Sequence, residues 1–268
     1  MKPNDPGATV MNTALRVGMQ AQLAVWRHSV QAHGHRLGWK IGFGDRAAQQ
    51  RAGLAAPVIG FLRRDRLLQS GGEFQLPKNS VIKAEVEVAI RMGRDVAAEI
   101  SATQAEYAIA AIAPAVEVVN VTEPLVGIEA LLRGNLYHAA VVIGSEQDTI
   151  PSAPREFIQA RLQVNGAPLR DSEPQRLPEH FGEIVQVVAG ALSAHGEHLA
   201  AGDWIICGAI IEPLVVKPGD RIEVQMPAFE HLALRSQEIG QFAVVLFGPD
   251  EFLCPGVDQL DADIEVVA

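Results

Sequence analysis

VIKAEVEVAIRM, residues 81–92, alternates with a period of two, the period of a β-strand. Val86, Val88 and Ile90 fall on one face, and Glu85, Glu87 and Ala89 on the other. The two carboxylates then stand ~6.6 Å apart at Cα, for a rise of ~3.3 Å per residue, so their tips can converge on one ion. A second apolar stretch, AVEVVNV at 115–121, carries a single charge, Glu117, between valines. A lone carboxylate is costly to bury, so Glu117 needs a partner. Three carboxylates held together raise one another's pKa unless a cation neutralises them, and hard divalent ions prefer oxygen ligands. Glu85, Glu87 and Glu117 are therefore candidate ligands of Mg²⁺ or Mn²⁺. The alternative is a half-exposed strand whose glutamates face solvent, with Glu117 paired to an Arg or Lys.

Upstream of this strand, Leu15, Met19, Leu23, Trp26 and Val30 recur at three- and four-residue intervals and predict an amphipathic helix over 12–32. WKIGF, 39–43, reads as a short buried strand. Its Lys40 either snorkels to solvent or sits in a pocket where its pKa can fall toward the working range of an acid–base group. Gly42 and Gly44 permit close approach of a ligand to the backbone. Residues 45–57 suit a helix-containing loop or lid.

Downstream, TQAEYAIAAIA (103–113) reads as a helix and LYHAAVVIG (136–144) as a third strand. RLQVNGAPLR (161–170) reads as a hairpin, because Asn165-Gly166 is a strong type I′ signal. A helix is expected over 177–194, then strands in DWIICGAI, RIEVQM and QFAVVLFG. The acidic tail, 249–268, suits an edge strand or an ordered extension. Helices flank and interrupt a strand-rich core without regular strand–helix alternation, which indicates the α+β class with a rolled mixed sheet and an N-terminal helical region. Residues 1–70 supply the N-terminal cap with the Lys-bearing strand, and 71–268 the β-rich metal-binding core of one continuous domain.

The net charge of -10 and the lack of any Lys/Arg stripe argue against nucleic acid or an anionic membrane as partner. A hydrophobic fraction of 48% is enough for a folded core, yet no stretch approaches the length of a membrane span. Cys207 and Cys254 form no CxxC pair, and with no signal-peptide pattern at the N-terminus the expected compartment is the cytoplasm. His33, His35, His195 and His198 lie at expected helix ends and read as exposed. Apolar runs such as FAVVLF predict a sheet face covered in a homo-oligomer.

Taken in order, GWKIGF, EVEVAI, AVEVVN, a Gly-Asn segment before AAVVIG, LAAGDWIICG and VVKPGD resemble the 2-keto-4-pentenoate hydratase and 4-oxalocrotonate decarboxylase family, over roughly residues 12–247. The resemblance implies the rolled mixed β-core of the fumarylacetoacetate hydrolase-like superfamily. It places the family's metal ligands on Glu85, Glu87 and Glu117 and its acid–base Lys on Lys40, with Gly42, Phe43, Asn135 and His138 around the substrate. The activity it implies is hydration of a 2-hydroxy-2,4-dienoate or 2-oxo-alkenoate acid. The alternatives are decarboxylation of the 4-oxalocrotonate type, C–C hydrolysis of an acylpyruvate, or a non-catalytic relative binding a metabolite or partner subunit, such as a related decarboxylase or hydratase. Three departures reshape the pocket. Leu136, Tyr137 and His138 are bulkier than the residues usual after the Asn, Val58 stands where some members carry an acid, and Gly208-Ala209-Ile210-Ile211 lacks the hydroxyls of the family's carboxylate-binding turn.

Overall fold

A computed structural model of the chain describes residues 6–70, 74, 76–96, 100–147, 158–172, 177, 180–226, 231–237 and 241–247. Helix α1 (Pro6–His33) turns Met19, Leu23 and Trp26 onto the core. The Trp26 ring lies 4.9 Å from that of Trp39 on the first strand. Gln22, fully buried, donates to the carbonyl of Leu132 in α4 (Ile128–Arg133) at 3.0 Å and so ties the two helices together.

The main sheet has eight strands: β1 (Arg36–Gly42), β2 (Val58–Arg63), β3 (Leu67–Leu68), β4 (Ile82–Met92), β5 (Ile109–Asn120), β6 (His138–Ile143), β9 (Trp204–Ile206) and β10 (Leu214–Val216). Their order is β2-β1-β9-β4-β5-β6-β3, with β10 also paired to β4. β9 runs parallel to β1 and antiparallel to β4, so strands from residues 36–63 enter the same sheet as the acidic strand. A second, antiparallel sheet is ordered β13-β12-β11-β7-β8, from β7 (Arg161–Val164), β8 (Ala167–Asp171), β11 (Arg221–Gln225), β12 (His231–Gln237) and β13 (Gln241–Phe247). Asn165 and Gly166 both have positive φ, 53° and 77°, as a type I′ turn between β7 and β8 requires. With α2 (Arg46–Ala52), α3 (Ala102–Glu106) and α5 (Phe181–Ser193) on its flanks, this is a curled mixed sheet with flanking helices. Among the described residues no helix is long and apolar enough to cross a membrane.

One expectation needs correcting. The helix read over 103–113 stops at Glu106, and β5 begins at Ile109. β4 is eleven residues long and offers a ladder down to the Met92–Ile109 pair, so pairing overrides the helix propensity of the alanines. Almost every residue from Ile109 to Val119 is buried, because β5 lies between β4 and β6 and packs on both faces. The tail at 249–268 lies outside the described residues.

Candidate active site

β4 and β5 align so that Glu85 sits directly opposite Glu117, and Glu87 opposite Ala115. Ala89, Ala113 and Ala115 share this face and pack against Leu37, Leu62, Val141, Trp204 and Ile206. Their small side chains leave room for the acids. One carboxylate oxygen from each of Glu85, Glu87 and Glu117 lies within 4.8 Å of the others. Glu87 and Glu117 are fully buried, and Glu85 opens toward a cavity.

The edge of β4 beside these residues is covered by the loop that follows β9. Cys207 N donates to Val88 O and Ile210 N to Val86 O, both at 2.9 Å. Between these bonds the chain swings outward at Gly208, whose φ of 96° suits glycine, and Gly208 N donates to Glu87 Oε2 at 2.7 Å. The segment that lacks the expected hydroxyls thus holds a carboxylate through its backbone.

Lys40 projects from β1, between its partners Gly60 on β2 and Ile206 on β9. It is buried and does not snorkel; its ammonium binds Glu117 Oε1 and donates to Leu136 O at 3.3 Å. A β-bulge in β6 skips Ala139, because Val118 pairs with Ala140 and Val119 with His138. The skipped residue flips His138 onto the face of Glu117, and its Nδ1 lies 2.7 Å from Glu117 Oε1. Asn135, Leu136 and Tyr137 form a left-handed turn with φ of 50°, 52° and 64°, a conformation that costs an L-residue ~1–2 kcal/mol each. The Asn135 amide offsets this cost: it accepts from Phe61 N at 2.8 Å and donates to Phe61 O at 2.9 Å, pinning the turn to β2.

Gly60 makes that approach possible. A Cβ there would stand 2.8 Å from Lys40 Cγ and 2.9 Å from Asn135 Oδ1. Gly60→Ala is expected to push the lysine and the Asn135 turn apart and to destabilise the protein by about 1–3 kcal/mol, the usual cost of overpacking. A thermal unfolding midpoint unchanged from wild type would contradict this packing.

Electrostatics separate the groups. Burial, with the field of Glu117, pushes Glu85 up to about 7. Burial and the charges of Glu117 and Glu85 hold Glu87 well above the usual carboxylate range. Burial pushes Glu117 in the same direction, but Lys40 and His138 outweigh it and leave its carboxyl below its ordinary value. Lys40 departs from expectation: burial lowers its pKa, but the charges of Glu117, Glu85 and Glu87 more than reverse this, so it rises. Burial holds His138 below its ordinary value although Glu117 pulls it up, and its Nδ1 stays within hydrogen-bond distance of Glu117 Oε1. Glu87 Oε1 and Glu117 Oε2 are buried without a hydrogen-bond partner. Unpaired carboxylate oxygens in a buried, acidic cluster are what a hard divalent cation satisfies, so the residues fit Mg²⁺ or Mn²⁺.

Above the cluster opens a cavity of about 340 Å³. Lys40, Gly42, Phe43 and Glu85 line it, while Asn135 and His138 stand outside the lining, bonded to Phe61 and Glu117. Tyr137 and Gly208, which the sequence marked as departures that reshape the pocket, also line the wall, and so does Arg51, which the sequence did not single out. His33 and His35 stack on each other, and neither they nor His195 and His198 line the cavity.

A curled mixed sheet thus brings together two buried acids, Glu87 and Glu117, and a third, Glu85, that opens to a cavity, and this is the candidate site. Residues 27–244 match the model of the fumarylacetoacetate (FAA) hydrolase C-terminal family, and the chain belongs to that family. A 4-oxalocrotonate decarboxylase of Pseudomonas sp is 24% identical over 218 residues, covering 79% of this chain and 83% of the relative. The TodF product hydratase of Pseudomonas putida F1 is 25% identical over 224 residues, covering 81% and 84%. The 4-oxalocrotonate decarboxylase of Pseudomonas putida G7, solved with magnesium and adipate, superposes with a TM-score of 0.74 at 21% identity, covering 82% of this chain and 84% of that one.

Proposed function

We propose that this protein is a divalent-metal-dependent lyase of small 2-oxo acids, whose reaction is decarboxylation of a 2-oxo-enedioate. The observation that carries the reading is the convergence of Glu85, Glu87 and Glu117, two of them with unpartnered buried oxygens, beside the buried ammonium of Lys40. Mg²⁺ or Mn²⁺ held by these acids would supply a Lewis acid that draws electron density into the 2-oxo group. Lys40, kept charged by Glu117, is placed to give a proton to the 2-oxo oxygen as the electron pair of the breaking carbon–carboxylate bond moves through the conjugated chain. His138 fixes Glu117, and the left-handed turn presents Leu136 O to Lys40.

Decarboxylation is favoured over hydration by the apolar wall next to Gly42, where Val58 and Leu136 are the nearest neighbours; the acids that line the cavity are Glu85, Asp45, whose carboxylate caps α2, and Glu212. Relatives named 4-oxalocrotonate decarboxylase support it too. Hydration of a 2-hydroxy-2,4-dienoate is the second reading, supported by the hydratase relative. Ultraviolet absorbance and carbon dioxide release, with 2-oxohex-3-enedioate and with 2-hydroxypenta-2,4-dienoate, separate the two. Metal-dependent release from the dioate, abolished by EDTA, is the expected result. Loss of dienoate signal alone would transfer the assignment to hydration.

Protons compete for the same oxygens. Below about 7 Glu85 carries a proton that an ion must displace, and Glu87, held well above the usual carboxylate range, carries another that the ion must also displace. Mn²⁺ affinity is expected to weaken as pH falls, by up to roughly tenfold per unit for each protonated ligand and most steeply below about 7, where Glu85 joins Glu87. The free-ion electron paramagnetic resonance signal between pH 5.5 and 8 measures it, and a flat profile would remove Glu85 from the ligand set.

A further inference from the structure

With one divalent ion held by the three carboxylates, the charges of the acids, the ion and the Lys40 ammonium would balance, so the first carboxylate of a 2-oxo acid would leave no positive charge there for a second. Any second carboxylate needs its own cation, in a protein whose net charge is -10. Among the described residues lining the cavity the cations are Lys40, bound to Glu117, and Arg51. The Arg51 side chain makes no hydrogen bond or ion pair with a described residue. Its position is set by α2: Asp45, Ala48 and Arg51, spaced by three, all line the cavity, so one side of this short helix forms the wall. Asp45 makes no ion pair with the arginine; its carboxylate is turned to the helix start, accepting from Ala47 N and Ala48 N at 3.1 and 3.3 Å, and Glu212 stands on the same lining. Gln49 Nε2 donates to Phe43 O at 2.8 Å and Gly44 O at 3.2 Å, which anchors the helix to the end of the Lys40 strand.

We propose that Arg51 is the specificity-determining residue of this site, binding the distal carboxylate of the substrate and selecting a dioic over a monocarboxylic 2-oxo acid. This rests on the reading of the acids as a metal centre that takes the 2-oxo end. Guanidinium and carboxylate match as a two-pronged pair, and an exposed Arg binds through it without the cost of burial. A vinyl tail offers Arg51 nothing. When the distal carboxylate leaves as carbon dioxide the contact disappears, so the residue holds substrate and releases product. The carboxylate is held in the ground and transition states alike, before it departs, so loss of the interaction raises KM with kcat little changed.

The test is calorimetric titration of Mn²⁺-loaded protein with 2-oxoadipate and with 2-oxohexanoate, which have the same chain length and differ only in the distal carboxylate. Wild type is expected to prefer the dioate by about tenfold or more, the scale of one charge-assisted pair. Arg51→Gln is expected to erase the preference with 2-oxohexanoate affinity unchanged, and Arg51→Lys to keep part of it. Equal affinities in wild type, or a preference that survives Arg51→Gln, would overturn the proposal and leave the metal-centre reading intact. Binding of neither ligand to the Mn²⁺-loaded protein would overturn both.

Discussion

Glu87→Gln is expected to weaken Mn²⁺ binding by at least about 100-fold and to abolish turnover, without unfolding the protein. Gln keeps the shape and can still accept from Gly208 N through its carbonyl oxygen, so the bond that ties β4 to the 207–211 loop survives. What is lost is the charge and the unpartnered Oε1, replaced by an NH₂ group that cannot bind a cation. Wild type also carries a cost that the variant escapes. Glu87 is held well above the usual carboxylate range by burial and by its two acidic neighbours. A group shifted this way binds its proton more tightly folded than unfolded, so the metal-free fold loses stability as pH rises through the shifted value. The neutral amide removes that loss. In EDTA above pH 7 the unfolding midpoint of Glu87→Gln should therefore equal or exceed wild type. Wild type gains roughly 2.7 kcal/mol at an ion concentration 100 times Kd, and the variant should show no such gain. A variant that melts well below wild type in EDTA would mean Glu87 supports the fold rather than a ligand.

How much of this site could be read in advance depended on whether a signal was local. Glu85 and Glu87 were legible because a period of two on one strand fixes their shared face, and Glu117 because a charge in an apolar run is anomalous wherever it occurs. Lys40 was legible as an oddity, but not the direction of its pKa, which is set by Glu117, 77 residues away. The two open readings of Glu117, ion ligand and partner of a lysine, are compatible in the structure, since Lys40 takes Oε1 and leaves Oε2 unpartnered. His138 was singled out for following Asn135, but its contact with Glu117 depends on a bulge, and no residue in HAAVV marks one. The boundary between α3 and β5 was misread because the alanines there suit a helix locally, whereas the ladder to β4 that decides the matter is non-local. β9 was overextended for the same reason: the chain leaves the sheet at Cys207 to reach Glu87. Arg51 lies in a polar stretch of ordinary composition, and only its place on the cavity wall distinguishes it.

Lys40→Met should separate chemistry from metal binding in the opposite way to Glu87→Gln. Met matches the length of the stem that passes Gly60 and removes only the ammonium, so any change reports the charge and its proton. Turnover is expected to fall on the order of 10³-fold, within the range for loss of a positioned acid. Mn²⁺ should bind at least as tightly as in wild type, because a cation that repels the ion has gone while Glu85, Glu87 and Glu117 remain. Metal-free protein should suffer most. Glu117 would keep His138 and lose the ammonium that holds its carboxyl low, and breaking a buried pair costs about 3–5 kcal/mol. A divalent ion restores the missing positive charge, so the metal-induced rise in unfolding midpoint should be larger in Lys40→Met than in wild type. Measuring midpoints in EDTA and in excess Mn²⁺, beside single-turnover rates, tests all three parts. Turnover within tenfold of wild type would remove Lys40 as the proton donor. A midpoint in EDTA equal to wild type would mean that Glu117 is already neutral in the metal-free fold, contrary to the downward shift its two partners impose.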